Sequence, residues 1–480
     1  MADKNDRKAA KAGIWYTIVN YISKGAIFFT TPFFTRMMTK EEIGAFANIS
    51  TWVSVLLPLA TFDMGVTLAI ARFDYKNEFD RYCSSAMAYG SMIGAALYLI
   101  AILFMPFFSQ LLSLEPFAIH LMFIYMITYP ALSFFQSQNM YAYKYKTSAV
   151  ITMTSLCLSI GLAMLLTGTM ENRVAGRALG YFGVYIVFSL ALYAYMLVKG
   201  RGISFKYFKY ATKISFPMIW HTMSMHLLTS GDRIVIIKVL GESANAMYSI
   251  AYTCAHVVSV LYQSMNSAWS PWSTSQMDAG NTEKLRKMSR IYVLCFAVFV
   301  VLLILICPEL LLIMGGRSYL ESKMVIPPVM IAVVYQFVYS LYINAEFFLK
   351  KQKRIAVGTI LAAVLNLGLN VIFVPRYGYV AAAYTTMVGY LFLFIFHFIS
   401  LKLLGKSDWY DEKFNILVIL AVTALLPAVN FLYRHDPVRY ACLAAAALAL
   451  AWYAWKRRED LMKVIRFFLK KEQKAEAEES

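Results

Sequence analysis

Fourteen apolar segments, each about as long as a bilayer core is thick, follow one another along this 480-residue chain with only short polar connections between them. A helix needs about 20 mostly apolar residues to cross the hydrocarbon region. By that rule the segments fall at 13–35, 43–69, 84–106, 117–140, 148–168, 175–198, 214–240, 244–272, 291–311, 324–349, 355–374, 379–401, 414–433 and 438–455. They are continuous runs without period-two alternation, which selects helices over barrel strands. With 60% hydrophobic and 15% charged residues, the chain carries more apolar surface than a water-soluble fold can hide. The longest connection, 273–290, holds 18 residues, so no soluble catalytic domain fits between the spans. An all-α integral membrane protein of about fourteen transmembrane helices is expected.

The formal charge of +18 has several meanings in principle: nucleic acid, anionic lipid, anionic substrate or topology. Its distribution decides among them. With the N-terminus placed inside, 33 of the 45 Lys and Arg residues lie in the inner connections and termini, 10 in the outer connections and the span ends beside them, and Lys24 and Arg233 deeper within spans. Short loops with this bias orient the chain with both termini in the cytoplasm. The basic residues are spread over eight segments and form no module in which they interleave with aromatics, so nucleic-acid binding is excluded. After the last span, Lys456 to Lys474 carries a basic run with Leu461, Ile465, Phe468 and Leu469 at helical spacing, the pattern of an amphipathic helix on anionic membrane lipids. The first apolar run follows a short basic stretch and lacks a small-x-small cleavage site, so it reads as an uncleaved span. The six cysteines have neither a CxxC pair nor ligand spacing, so no disulfide or metal site is expected of them.

The chain repeats itself weakly. Arg36 through Gly44 and Phe46 reappears, shifted by 202 residues, as Lys238 through Ala246 and Tyr248. Gly180-Tyr181-Phe182 parallels Gly389-Tyr390-Leu391, and Lys144 and Lys146 parallel Lys351 and Lys353. These matches predict two six-helix lobes, 13–198 and 214–401, joined by a cytoplasmic linker at 199–213. They are preceded by a cytoplasmic stretch at 1–12 and followed by two extra helices at 402–455 and a cytoplasmic tail at 456–480. Two repeated lobes around a midplane cavity is a transporter architecture.

Ionisable groups inside spans are the sharpest functional pointers, since each costs about 2.5–3.5 kcal/mol on insertion scales and has to face protein or water. Lys24, at the centre of the first span, reads as a cavity cation for an anionic headgroup, or as the ion-pair partner of Asp63. Under the 202-residue shift it falls opposite His226, so each lobe presents a basic or titratable group at matching depth. Asp232 and Arg233 either pair with neighbouring helices or touch substrate. Arg72 is a cavity-mouth residue or a positive-inside anchor. Asp63, His256 and Glu346 are the candidates for coupling to H+ or Na+, with interhelical packing as the bland reading. His221 and His397 also lie in spans, and Asn366 and Asn370 share one helix face. Gly405-Lys406-Ser407 lacks the first glycine of a phosphate loop, and neither HExxH nor GxSxG occurs. No enzymatic activity and no cofactor are expected.

Four stretches carry a family resemblance: Phe29-Thr-Thr-Pro32-Phe-Phe-Thr-Arg36 with Glu42-Ile-Gly44; Ile214-Ser-Phe-Pro217 with Ser230-Gly-Asp232-Arg233; Leu240-Gly241 through Tyr248-Ser249 to Ala268-Trp269-Ser-Pro271; and Leu365-Asn366 through Asn370 to Pro375-Arg-Tyr-Gly378 and Ala381-Ala-Ala383. Together they resemble the polysaccharide-transporter (oligosaccharide flippase, Wzx-like) family of the multidrug/oligosaccharidyl-lipid/polysaccharide exporter superfamily. The resemblance implies a bacterial inner-membrane flippase. Such a protein moves undecaprenyl-pyrophosphate-linked oligosaccharide from the cytoplasmic to the periplasmic leaflet by alternating access, alongside polysaccharide polymerase and glycosyltransferases. It also implies that the last two spans offer a groove for the isoprenoid tail, as in lipid II flippases, and that Pro32, Pro217 and Pro375 let helices bend between states. A lipid II flippase and a cation-coupled multidrug antiporter are the alternatives. A glycan polymerase is a third, for which the outer loops are too short.

Overall fold

In the computed structural model, residues 2–142 and 144–456 are described, with side chains omitted at scattered positions near both ends, Lys24 among them. The basic amphipathic tail therefore lies outside the described residues. Seventeen α-helices, four short 3-10 turns and no strand make up the rest. Eleven segments are long and apolar enough to cross a membrane, and one of them, 205–278, holds two of the expected crossings. The helices are α1 (Ala2–Met37), α2 (Lys40–Ala60), α3 (Leu68–Asp74), α4 (Phe79–Leu103), α5 (Met105–Leu112), α6 (Pro116–Thr128), α7 (Pro130–Tyr141), α8 (Tyr145–Thr169) and α9 (Arg173–Lys199) in the first half. The second half holds α10 (Phe208–Ala255), α11 (Val257–Asp278), α12 (Thr282–Gly315), α13 (Ile326–Phe348), α14 (Gln352–Tyr377), α15 (Val380–Leu403), α16 (Glu412–Arg434) and α17 (Asp436–Lys456). Helices α1 and α17 occupy the first and last expected spans.

Three boundaries differ from the sequence expectation, each for a local reason. The second span is not one rod to residue 69. It stops at Ala60, where Phe62 and Asp63 both take positive φ, 52° and 45°, before a 3-10 turn and α3. The backbone there is pressed by α4: a Cβ on Gly90 would lie 2.8 Å from the Thr61 carbonyl oxygen, and one on Gly94 2.9 Å from that of Ala60. The seventh and eighth spans are joined by a single-residue turn: within α10 the chain reverses at Gly241, whose φ of 85° is open to glycine, so that Arg233 meets Ser249 and Asp232 meets Tyr248. The connection expected at 273–290 is mostly helical, because α11 extends to Asp278 and α12 begins at Thr282. Pro32, Pro217 and Pro375 all lie inside helices, in α1, α10 and α14.

Helices α8 and α9, α13 and α15, α10 and α14, and α14 and α15 pack side by side, and α2 packs along α10 between the two halves of the chain. With no hydrophobic drive between helices in lipid, close backbone approach has to supply cohesion. In the first lobe Gly176 and Gly180, one turn apart on α9, seat that helix on α8: a Cβ on Gly180 would lie 2.3 Å from the Cα of Ala163. The lobes meet at the end of the bundle far from the chain termini, where the two copies of the repeat touch each other. Asn245 Nδ2 donates to the Gly44 carbonyl at 2.9 Å, and Thr35 Oγ1 donates to that of Met314 at 2.6 Å. They meet again at the other end, where Thr222 Oγ1 donates to Asp63 Oδ2 at 2.7 Å and Ser215 packs on Met64.

The last two helices fasten to the outside of the second lobe. Arg439, 1% exposed, holds Glu309 of α12 through two 2.6 Å hydrogen bonds and the Leu305 carbonyl through a third at 2.7 Å. Asn415 and Thr423 of α16 bond Tyr342 and Tyr335 of α13.

A Cβ on Gly44 would fall 1.9 Å from the Glu242 carbonyl oxygen, inside any tolerable contact. Gly44→Ala should therefore part the lobes at their far end. In a background without native cysteines, labelling of a cysteine placed at Ala47 by an impermeant thiol reagent from that side should rise several-fold.

Candidate functional site

Between the two sets of lobe contacts lies a cavity of about 670 Å³, lined by α1, α2, α8, α9 and α10 together with Tyr125 and Tyr129 at the junction of α6 and α7. Its polar wall is mostly hydroxyl. Thr31, Thr51, Ser54 and Thr253 each donate to the carbonyl one turn back, at 2.6–2.9 Å. This satisfies their protons within the helix and leaves oxygen lone pairs turned to the cavity as acceptors. Tyr125, Tyr129, Tyr181 and Tyr185 form a continuous aromatic panel on the first-lobe side, with Tyr125–Tyr129 centroids 5.0 Å apart and Tyr181–Tyr185 5.4 Å apart.

Two guanidiniums face this space. Arg233 donates from Nε to Ser249 Oγ at 3.1 Å and lies over the Tyr252 ring at 4.6 Å. Arg177 is held between Phe34 and Phe46, 4.0 and 3.9 Å from their centroids. Neither has a carboxylate within 4.0 Å among the described residues. None of the lining residues is acidic. A ring face attracts a cation but carries no net charge, so both arginines are oriented without being neutralised.

Arg177 was missed in the sequence because it falls at the mouth of the sixth span, among the outer flanking cations. A signal was present: the Gly176-x-x-x-Gly180 spacing packs one face of α9 against α8, and the residue following the first glycine projects away from that seam.

The residues singled out from sequence are distributed over several places. Arg233 and His226 line the cavity. Lys24 belongs to α1, whose neighbouring Ser23, Ala26 and Ile27 line it too, but the Lys24 side chain lies outside the described residues. Asp63 sits in the lobe contact at the terminal end, bonded to Thr222. Arg72 lies on the same side, stacked over Phe73 and Tyr141 at 4.4 and 4.5 Å. His256 lines a second, smaller chamber of about 110 Å³ inside the second lobe, with Thr229, Tyr252, Gln336, Thr386 and Tyr390. At about 30 Å³ per molecule, that is room for about three waters. Glu346 is wholly buried between α13 and α15, 2.9 Å from His397.

Asp232, adjacent to Arg233 in sequence, points the other way. It is wholly buried and takes hydrogen bonds from Asn370 at 2.7 Å, Thr386 at 2.6 Å and the Tyr248 hydroxyl. With its side-chain amide turned over, Asn366 adds a bond at 3.2 Å. This knot ties α10, α14 and α15 together behind the cavity wall. Adjacent residues on a helix stand about 100° apart, which is why one lines the cavity and the other the lobe core.

Residues 9–277 match the family described as "Polysaccharide biosynthesis protein", and residues 217–375 match the family MatE. Among solved structures, the lipid II flippase MurJ in an inward closed conformation superposes with a TM-score of 0.65 at 15% identity, over 93% of this chain and 99% of that one. An inward-facing multidrug resistance MATE family transporter superposes at 0.58 and 16% identity, over 86% and 99%. An uncharacterized membrane protein of Methanocaldococcus jannaschii is 19% identical over 458 residues, 88% of this chain and 89% of that protein.

The placement of Asp232 and Arg233 separates their roles by stability. Asp232→Ala strands the Tyr248, Asn370 and Thr386 donors in the lobe core at a cost of at least about 2 kcal/mol. It should lower the unfolding temperature of purified protein measurably, while Arg233→Ala, which removes a cavity-facing group, should leave that temperature nearly unchanged.

Proposed function

We propose that this chain, which belongs to the polysaccharide biosynthesis protein family, is the flippase that carries an undecaprenyl-pyrophosphate-linked oligosaccharide, a surface-polysaccharide repeat unit, across the cell membrane. The family and fold make it a multi-pass membrane transporter of the multidrug/oligosaccharidyl-lipid/polysaccharide exporter superfamily. The observation that carries the finer reading is the pair of unneutralised guanidiniums, Arg177 from one lobe and Arg233 from the other, in a cavity without acidic lining. Two uncompensated cations inside a membrane protein are costly unless an anion arrives to meet them. A pyrophosphate offers oxygens to both at once, and guanidinium–phosphate bonds are among the strong charge-assisted ones.

The remaining chemistry of the cavity fits the sugar. The hydroxyl wall presents acceptors to sugar hydroxyls, and the tyrosine panel presents flat faces to sugar rings. At about 670 Å³ the cavity is of ligand-headgroup size. It takes a pyrophosphate and its first sugars and leaves the isoprenoid chain in lipid. No lining residue comes from α16 or α17, so a tail groove at that hairpin would have to be separate from the cavity. An anion held by both lobes then favours the arrangement in which they are closed on it. The charge bias of the connections supports an orientation with both termini on the cytoplasmic face.

A cationic cavity argues against the drug antiporter, whose organic cations need acidic partners. Flipping of a defined undecaprenyl-pyrophosphate-linked oligosaccharide in proteoliposomes tests the reading. Arg177→Ala and Arg233→Ala should each slow it roughly tenfold or more, the loss of one charge-assisted contact of about 1.5–3 kcal/mol. Lys24→Ala should slow it as well. A wild-type rate in the Arg177→Ala/Arg233→Ala double variant would sink the headgroup role. Flipping of lipid II alone would assign the cargo to that class, and ethidium transport without any flipping would reassign the protein to drug export.

A further inference from the structure

The cavity is not uniform along its length: charge comes first, at the far lobe contact, and hydroxyls and tyrosines follow inward from it. Arg177 marks the far end, clasped between Phe34 of α1 and Phe46 of α2. Arg233 stands at nearly the same depth, because Asn245 bonds Gly44 and so puts Ser249, the partner of Arg233, about level with Asn48. From there each helix carries its lining residues toward the end that holds the chain termini. On α9, Tyr181 and Tyr185 follow Arg177 by four and eight residues, which is about 6 and about 12 Å of helix. On α2, Thr51 and Ser54 follow Phe46 by five and eight residues, and on α1 Thr31 precedes Phe34 by three. Hydroxyls and rings thus share one depth range on three helices around one space.

This stretch carries no charged side chain among the described lining residues. The next titratable group other than tyrosine, His226, lies seven residues from Arg233 toward the terminal end of α10, about 10 Å further in. Lys24 lies ten residues from Phe34 toward the same end of α1. The hydroxyls of Thr31, Thr51 and Ser54 give their protons to backbone carbonyls at 2.6–2.9 Å, so what they offer the cavity is lone pairs. Such acceptors suit the O–H and N–H groups of an uncharged sugar. The rings form one connected surface, with Phe46 6.3 Å from Tyr181, Tyr181 5.4 Å from Tyr185 and Tyr185 6.4 Å from Tyr125. A ring face is negative, so it attracts the C–H face of a sugar and repels an anion. A carboxylate in this stretch meets lone pairs and ring faces, and the nearest cations are the arginines already given to the phosphates. Burying a charge without a partner is costly.

We propose that the cargo lies with its pyrophosphate toward the far lobe contact and its first sugars directed toward the terminal end, and that the stretch of Tyr181, Tyr185, Thr51 and Ser54 selects an uncharged first sugar. The selection rests on the flippase reading and narrows it. A pyrophosphate-linked hexose or acetamidohexose supplies donors for the hydroxyl wall and a C–H face for the tyrosines. Lipid II carries an acidic peptide on its first sugar, so the same stretch discriminates against it.

Binding tests this without transport. Purified full-length protein in lipid nanodiscs is titrated with three short-chain isoprenyl pyrophosphates: one without sugar, one bearing N-acetylglucosamine and one bearing glucuronic acid. The wild type should bind the N-acetylglucosamine probe at least about tenfold more tightly than the glucuronic acid probe. Tyr185→Ala should weaken the N-acetylglucosamine probe several-fold more than the sugarless one, and Tyr185→Phe, which keeps the ring, should restore the difference. Ser54→Lys, which sets a cation beside the expected sugar, should narrow or invert the preference against glucuronic acid. Equal wild-type affinity for the two sugar probes, with the sugarless probe still bound, would overturn the selection and leave the flippase reading standing. An unchanged preference in Ser54→Lys would overturn the orientation. An equal loss for all three probes in Tyr185→Ala would mark that tyrosine as structural and overturn its part in the selection. Failure of every probe to bind the wild type would overturn both the selection and the flippase reading beneath it.

Discussion

A charge inside the hydrocarbon region has to be met by something, and what meets each buried charge organises this molecule. Asp232 is met completely by the protein, by Tyr248, Asn370 and Thr386 on three helices. It therefore behaves as a knot that holds the second lobe together. Arg439 is met by Glu309 and a carbonyl, and so fastens the terminal hairpin. Among the described residues, Arg177 and Arg233 are met by aromatic faces, the Met38 sulfur and a serine hydroxyl, with no carboxylate within 4.0 Å, and they turn toward a cavity. The same requirement makes structure where a partner is built in and, in the proposed reading, a binding site where it is left out.

Cohesion between helices rests on the other consequence of an apolar solvent. Leucine side chains gain little by leaving lipid for protein, so the tightest seams are those where glycine lets backbones touch. Gly176 and Gly180 fix α9 on α8, and Gly90 and Gly94 press α4 onto the broken end of α2. Gly44 brings the two lobes to contact at one end. That last seam joins repeat-related segments through the Asn245–Gly44 and Thr35–Met314 hydrogen bonds and a close backbone approach, along the contact of α2 with α10.

The amount of the molecule that could be read in the sequence follows from which forces are local. Apolar runs of membrane length define crossings whatever their neighbours do, so the helical class and nearly every span were legible. The break after Ala60 was not, because two residues with positive φ carry no glycine there and are stabilised by α4 from a distance. The reversal between the seventh and eighth spans was legible, but its sharpness was not: Gly241 alone makes the turn, with Arg233 meeting Ser249 across it.

The candidate site divides along the same line. Sequence by itself determined that charge was buried in the spans, and it named Lys24, Asp232, Arg233 and Glu346, since a residue type and its depth in an apolar run are local facts. It could not decide which of these charges are neutralised. Asp232 and Arg233 are neighbours in the chain, yet the helix turns one into the lobe core and the other into the cavity. Arg177 looked like a flanking cation until the packing of α9 on α8 brought it between Phe34 and Phe46. Glu346 and His397, 51 residues apart, meet only because α13 and α15 lie side by side. Partnership between charges is a property of distance in space, and only the tertiary structure sets it.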